Sequence, residues 1–355
     1  MNNVSLLQQI LKGNSLSAGQ GLILYQLPLI QLGSLATEIR FHHHPERQVT
    51  FVMDRNINYT NVCTSGCLFC AFCTQEASDE AFILSRKEMA EKIEEMVELG
   101  GTQLLIQGGL HPGLDLDYFL DLFSWIKSNF TVHIHSLSPP EIWHLSDLSG
   151  LSLRDVLSRL QQAGLDSLPG GGAEILVDRV RSRISPNKIG WRQWMEVMEE
   201  AHQLGMPTTA TMMFGTIETR EERIKHLCRI RQLQERTGGF TAFIPWPFQP
   251  KNTRLGGEGV TAFEYLQQLA ISRLMLDNIQ NIQASWVTQG EAIGQLALAF
   301  GANDMGGTMI EENVVRAAGT SHSLSCKRLL QLIREAGFVP VQRNTLYRRL
   351  RVYSS

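Results

Sequence analysis

Residues 61–73 read NVCTSGCLFCAFC. Within them Cys63, Cys67 and Cys70 are spaced C-x3-C-x2-C, and Cys73 follows three residues later. Four of the six cysteines of the chain thus fall within eleven residues. Thiols this close together oxidise or capture stray metal unless something occupies them. Thr64, Ser65 and Gly66 between them are small or turn-forming, so the backbone can wrap around an ion or a cluster.

Three kinds of ligation fit the stretch. A structural zinc needs a second ligand pair elsewhere, and neither Cys228 nor Cys326 has one beside it. A closed iron–sulfur cluster, as in an electron-transfer protein without substrate chemistry, would take Cys73 as its fourth ligand. A [4Fe-4S] cubane on Cys63, Cys67 and Cys70 alone would leave one iron open to a small chelating ligand. C-x3-C-x2-C with an aromatic residue, Phe69, before the last cysteine is similar to the signature of the radical S-adenosylmethionine enzymes.

The 355 residues suffice for one large α/β domain or two ordinary ones with a sizeable core. A formal charge of −3 gives no electrostatic case for nucleic acid or an anionic membrane as partner. Clustered cysteines in a chain this long do not make a secreted disulfide framework. The opening, MNNVSLLQQILKGNSL, lacks the basic and long apolar regions of a signal peptide. No apolar run approaches the roughly 20 residues of a membrane helix. These features predict a reduced, cytoplasmic setting. The basic stretch Arg343–Arg351 reads as a solvated helix end.

Residues 1–48 read as a helical N-terminal extension with breaks at Gly13 and Gly33. From Val49 strand-like and helical runs alternate. Strands are expected at 49–54, 102–107, 131–136, weakly at 165–168, then at 207–214, 240–244, 281–287 and 299–304. Ser85 with Glu88, Thr219 with Glu222 and Thr261 with Glu264 have the spacing of helix-starting capping boxes. Gly100, Gly164, Gly205 and Gly238 stand where helices should stop. This cadence predicts a TIM-type (β/α)8 barrel over 49–320, with a C-terminal helix and tail over 321–355 packed on it. A doubly wound open sheet also alternates, but its dinucleotide glycine fingerprint is missing after the first strand. The loops at 107–112, 135–142, 169–175, 214–219, 246–250 and 303–307 all follow strands, and a barrel gathers such loops on one rim.

Longer motifs carry a resemblance. DRNINYTNVC and FCAF within 54–72, QGGLHP, HIHSLSPPEI, GLDSLPGGGAEILVDRVRSRISPNK (164–188), TATMMFG and GGFTAFIPWPFQP (238–250) together resemble the cyclic dehypoxanthine futalosine synthase family. These are radical S-adenosylmethionine enzymes of menaquinone biosynthesis, and the likeness runs from about residue 45 to the end. Aminofutalosine synthase and the deazaflavin-cofactor synthases are near relatives. Two positions depart from the pattern. Cys73 and Thr74 replace a large residue followed by Arg, and Thr216 stands where Gly-His-x-Glu carries histidine.

The resemblance implies a [4Fe-4S] cluster on Cys63, Cys67 and Cys70 and S-adenosylmethionine as cofactors. It implies that Gly108 and Gly109 let the backbone approach the methionine amino group, that Glu174 accepts from the ribose hydroxyls, and that Arg183 or Lys188 faces the methionine carboxylate. In the implied reaction an adenosyl radical takes hydrogen from ribose C4′ of the small-molecule substrate dehypoxanthine futalosine. The carbon radical then attacks the benzoate ring of the same molecule, and loss of an electron and a proton restores aromaticity. An electron donor such as flavodoxin or ferredoxin is the implied partner. His133 and His135 alternate along one strand face, placing either as base or as substrate hydrogen-bond partner, or as a buried structural residue. Trp246 and Phe248 are candidates to wall a substrate ring or to pack at a strand end.

Overall fold

The alternation closes into a ring of parallel strands. A computed structural model describes residues 15–320 and 322–354; the part of the N-terminal expectation that falls on residues 1–14 lies outside them. The first barrel strand is split at Met53 into β1 (Gln48–Val52) and β2 (Asp54–Ile57). β2 pairs with β3 (Gln103–Ile106), and β3 pairs with β4 (His133–Ser136). Bridges at Ser167 and Leu168 carry the ring from β4 to β5 (Thr208–Phe214), the weak strand of the sequence. β5 pairs with β6 (Phe240–Pro247), which pairs with β7 (Asn281–Ile282). A bridge at Gln283 reaches β8 (Asp304–Gly307), which pairs back to β1.

Local signals set the helix boundaries. Ser85 and Thr219 form reciprocal capping boxes with Glu88 and Glu222. Thr261 also accepts from the Glu264 amide, but the Glu264 carboxylate pairs with Arg223 Nη2 at 2.7 Å. Two strands differ from expectation. Residues 286–289 turn into helix, which shortens β7. The eighth strand comes late, at 304–307, because 297–300 is a 3-10 turn and strand pairing starts beyond it. Glycine in that strand has a packing reason: a Cβ on Gly307 would stand 2.0 Å from Asp54 Oδ1.

Two apolar clusters lie between strands and helices. One surrounds Met89, Ile93, Phe119, Phe123 and Ile142. The other joins Trp194, Phe243, Leu269 and Trp286 to the N-terminal helices Ala18–Leu24 and Leu29–His43. The inner strand face is different. Asp54, Asn56, Gln103, His135, Thr209 and Gln283 point into a cavity of about 400 Å³, where a TIM-type barrel more often packs branched apolar layers. Among the described residues no helix is long and apolar enough to cross a membrane.

The tail corrects the sequence reading. Residues 343–351 form no helix end. After the helix Cys326–Glu335, β9 (Val339–Arg343) adds in parallel to β1, and β10 (Arg349–Val352) returns antiparallel as the sheet edge. The hairpin brings Arg343, Thr345 and Tyr347 to the cavity floor. There Arg343 Nη2 donates to Asp304 Oδ1 at 2.9 Å and its Nε to Oδ2, while its Cζ lies 3.9 Å from the Tyr347 ring centroid. Burial opposes the guanidinium charge, but Asp304, Tyr347 and Asp54 together more than offset it and hold the Arg343 pKa above its ordinary value. Breaking one side of such a pair leaves a bare buried charge, so Arg343→Met should cost about 3–5 kcal/mol. Urea unfolding of the apo-protein measures this. The double variant with Asp304→Asn should recover most of the loss, and an additive double loss would show that the pair is not the source.

Candidate active site

The cysteine loop follows β2 at the carboxyl end of the barrel and is held by three other rim segments. Thr64 N–H donates to Leu110 O at 3.1 Å, and Leu68 N–H to Ile184 O at 2.8 Å. Leu255 N–H donates to Leu68 O at 2.8 Å, and Arg254 Nη2 to Gly66 O at 2.8 Å. Gly109 makes the closest approach, since a Cβ there would stand 2.0 Å from Val62 O. At Gly108 it would meet the Tyr59 ring at 2.6 Å. Both glycines line the cavity. Gly108 N–H donates to the buried Glu141 at 3.1 Å, which also accepts from Tyr59 Oη at 2.9 Å. Burial raises the Glu141 pKa, with the hydrogen bonds from Ser138, Gly108 and Tyr59 opposing that.

Cys63, Cys67, Cys70 and Cys73 all line the same cavity. Ser65 Oγ lies 2.9 Å from Cys63 Sγ and 3.3 Å from Cys67 Sγ, and Leu110 N–H donates to Cys63 Sγ at 3.3 Å. Burial raises the Cys67 thiol pKa. A hydrogen bond with Cys73 lowers that of Cys70 to about 6, and the same bond pushes Cys73 up. Three thiols around one cavity, with amide and hydroxyl donors at the sulfurs, are a donor set suited to an iron–sulfur cluster. Among the described residues no three His, Cys, Asp or Glu side chains close around a single ion. A cubane takes its thiolates from farther apart than one ion does.

The other predicted residues divide. Glu174 is buried at φ 40°, does not line the cavity, and its carboxylate is occupied. It accepts from Lys188 Nζ at 3.0 Å and Arg181 Nη1 at 3.3 Å. Arg183 is exposed and away from the lining, so Arg181 and Lys188 replace it as the cations of this corner. Lys188 lines the cavity with its Nζ 5.2 Å from the centroid of Phe69, the aromatic of the cysteine motif. Burial opposes its charge, and Cys67 and Glu174 more than offset that. His135 is buried and lines the cavity; His133 does not. Both share Ser167 Oγ, His133 through Nε2 and His135 through Nδ1, each at 2.7 Å. Burial pushes the His135 pKa down to about 3, so the imidazole is neutral.

Trp246 lines the cavity, whereas Phe248 packs in the core. Thr216 is off the lining and bonded to Glu218 at 2.7 Å, so the missing imidazole at that position takes nothing from the wall. Sequence reading missed Asp54, whose pKa burial raises to about 6, and the floor residues Arg343 and Tyr347. Asp54 carried one signal, its place two residues before Asn56 on a strand that leads to the cysteines.

A parallel barrel with this thiol loop at its carboxyl rim, in a chain whose residues 57–229 match the Radical SAM superfamily, is a radical S-adenosylmethionine enzyme. Its cofactors are a [4Fe-4S] cluster and S-adenosylmethionine. Residues 237–354 match the CofH/MqnC C-terminal region. The chain belongs to the CofH/MqnC family of radical S-adenosylmethionine enzymes. It is 46% identical to the cyclic dehypoxanthine futalosine synthase of Halalkalibacterium halodurans over 98% of this chain and 95% of that one. It is 42% identical to the 5-amino-6-(D-ribitylamino)uracil–L-tyrosine 4-hydroxyphenyl transferase 1 of Methanosarcina barkeri over 100% of this chain and 96% of that one. The crystal structure of methylornithine synthase (PylB) superposes with a TM-score of 0.75 over 94% of this chain and 97% of that one, at 19% identity, a likeness of fold alone.

Single Ala substitutions of Cys63, Cys67 or Cys70 should each abolish cluster retention after anaerobic reconstitution, read as bound iron and sulfide. Cys73→Ala should keep the full iron content. Loss of the cluster in that variant would make Cys73 a ligand.

Proposed function

We propose that this chain cyclises dehypoxanthine futalosine. The observation that carries the reading is the 46% identity, nearly end to end, to a protein of that activity. The cavity agrees with it. One face of about 400 Å³ of space carries the cysteines, and the rest mixes amides and hydroxyls such as Gln103, Gln283 and Thr209 with apolar Leu105, Ile244 and Trp246 and the charged Asp54, Glu312 and Arg343. When bound, the cluster and S-adenosylmethionine supply an organic radical that removes a hydrogen atom from substrate.

The residues of the chain position, shield and accept protons. Lys188 is the cation that reaches the cavity beside the cysteines, and it faces the methionine carboxylate. Ile244 and Trp246 present apolar surface to the cavity and help exclude water. His135 hydrogen-bonds substrate through Nε2, because Nδ1 is taken by Ser167. Its low pKa makes it a hydrogen-bond partner first, and a proton acceptor only where negative charge leaves the substrate with the proton.

A second reading has its own support, since transferases acting on 5-amino-6-(D-ribitylamino)uracil and tyrosine reach 45% identity to this chain. Product analysis separates the two. Reconstituted, reduced enzyme with S-adenosylmethionine should convert dehypoxanthine futalosine to a product two hydrogens lighter and release free 5′-deoxyadenosine. Turnover only with the uracil and tyrosine would replace the first reading by the second.

His135→Phe should lower product formation by about 100-fold, the scale of losing a positioned acid–base or hydrogen-bonding group. His133→Phe, away from the lining, should cost less. Burial keeps the His135 imidazole neutral until pH approaches about 3, so the rate should show no imidazole titration from about pH 5.5 to 8. A loss of rate on acidification through about 6.5 that His135→Gln removes would contradict the neutral assignment.

A further inference from the structure

The lower half of the cavity holds amide groups with nothing to bind. Gln103, the first residue of β3, is 6% exposed and lines the cavity, and its side chain has no hydrogen-bond partner among the described residues. Gln283, directly after β7, is half-buried and lines the cavity, and its side chain too has no hydrogen-bond partner among the described residues. Asn56 on β2 donates from Nδ2 to Glu312 at 3.5 Å and leaves its buried Oδ1 without a partner. A buried polar group without a hydrogen bond costs about 1–3 kcal/mol. Asn56 Oδ1 carries that cost out of reach of the cavity, whereas the amides of Gln103 and Gln283 face it and are open to a polar ligand.

The backbone makes room for this arrangement. Gly306 has φ 73°, and a Cβ there would stand 2.4 Å from Gln283 Nε2. Any side chain at 306 would displace the amide. The charges around the cavity narrow the ligand further. Its lining contains two cationic side chains, Lys188 and Arg343, and a carboxylate already holds each of them, Glu174 and Asp304 respectively. An anionic group deep in the barrel would find no free cation. Amides present donors and an acceptor together, which suits hydroxyl groups that do the same.

Depth gives the orientation. Gln103 opens β3 at the amino end of the barrel, whereas Gly108 and Gly109, which touch the cysteine loop, follow its carboxyl end. Gln283 bridges to Asp304, the first residue of β8. We propose that Gln103 and Gln283 form a subsite for the hydroxyls of a polyhydroxylated sugar portion of the substrate. The sugar hydroxyls enter first and the reacting carbon stays toward Cys63, Cys67 and Cys70. The subsite rests on the proposed substrate to the extent that its ribose supplies those hydroxyls; a ribityl chain would fit the same groups.

The test is equilibrium binding to the reconstituted enzyme with S-adenosylmethionine and no reductant, so that nothing turns over. Calorimetry compares dehypoxanthine futalosine with its analogue lacking the two vicinal ribose hydroxyls. Gln103→Met and Gln283→Met keep side-chain length without the amide. Each should weaken the full ligand by about 10- to 100-fold, while wild type and variants bind the dideoxy analogue alike. Unchanged iron content and S-adenosylmethionine affinity certify that the variants fold. Variants that bind the full ligand as wild type does, or that lose both ligands equally, overturn the subsite. If wild type binds no dehypoxanthine futalosine, the substrate reading fails instead, and the same variants are titrated with 5-amino-6-(D-ribitylamino)uracil. Weakened binding there keeps the subsite, and unchanged binding overturns it.

Discussion

Two buried carboxylates, each ion-paired, keep the hollow of this barrel open, one at each end. At the rim Glu174 accepts from Lys188 and Arg181, and at the floor Asp304 accepts from Arg343. A barrel lined with Gln, Asn, Thr and His lacks the apolar layers that would otherwise fill it. Charges buried in such a wall are tolerable only when paired and hydrogen-bonded. Arg343 reaches Asp304 from 39 residues on, and Glu174 ties back its own loop through Arg181 and Lys188, so neither end can relax inward without exposing a bare charge to a low dielectric.

These carboxylates also assign the two ends their chemistry. At the rim, Lys188 remains beside Cys67 and Phe69 because Glu174 and the thiol together sustain its charge against burial. The cysteine loop is then clamped by backbone hydrogen bonds from Leu110, Ile184 and Leu255, not by its own turn alone. At the floor, Asp304 neutralises Arg343, while Asp54 stands in register with Gln103 and Glu312 accepts from Asn56. An interior whose cations are paired, with His135 kept unprotonated by burial, suits carbon-radical chemistry, which needs position and exclusion more than charge.

The family frame explains why relatives with two different reactions resemble this chain almost equally. Both kinds of relative match a family of radical S-adenosylmethionine enzymes, whose cluster and S-adenosylmethionine are common to them. What differs between substrates must be read lower in the barrel, among side chains such as Gln103, His135 and Gln283 that sit on strands rather than in motifs.

The sequence alone determined the clustering of the cysteines in one loop, the parallel alternation, and the helix starts at Ser85 and Thr219 with the stops at Gly100, Gly164, Gly205 and Gly238. All of these are local: a thiol spacing, a capping hydroxyl three residues from its carboxylate, a glycine that alone adopts positive φ cheaply. Only the tertiary structure decided the rest. Glu174 was legible as a rim carboxylate, but its occupation by Arg181 and Lys188 depends on how the chain between 174 and 188 folds back. Arg181 and Arg183 differ by two residues on one short helix, and helical phase turns one inward and the other to solvent. The basic tail looked solvated because its charge is exposed in sequence. It joins the sheet beside the barrel because β9 finds β1 nearly three hundred residues earlier and Arg343 finds Asp304. Pairings of that range leave no periodic trace in either partner.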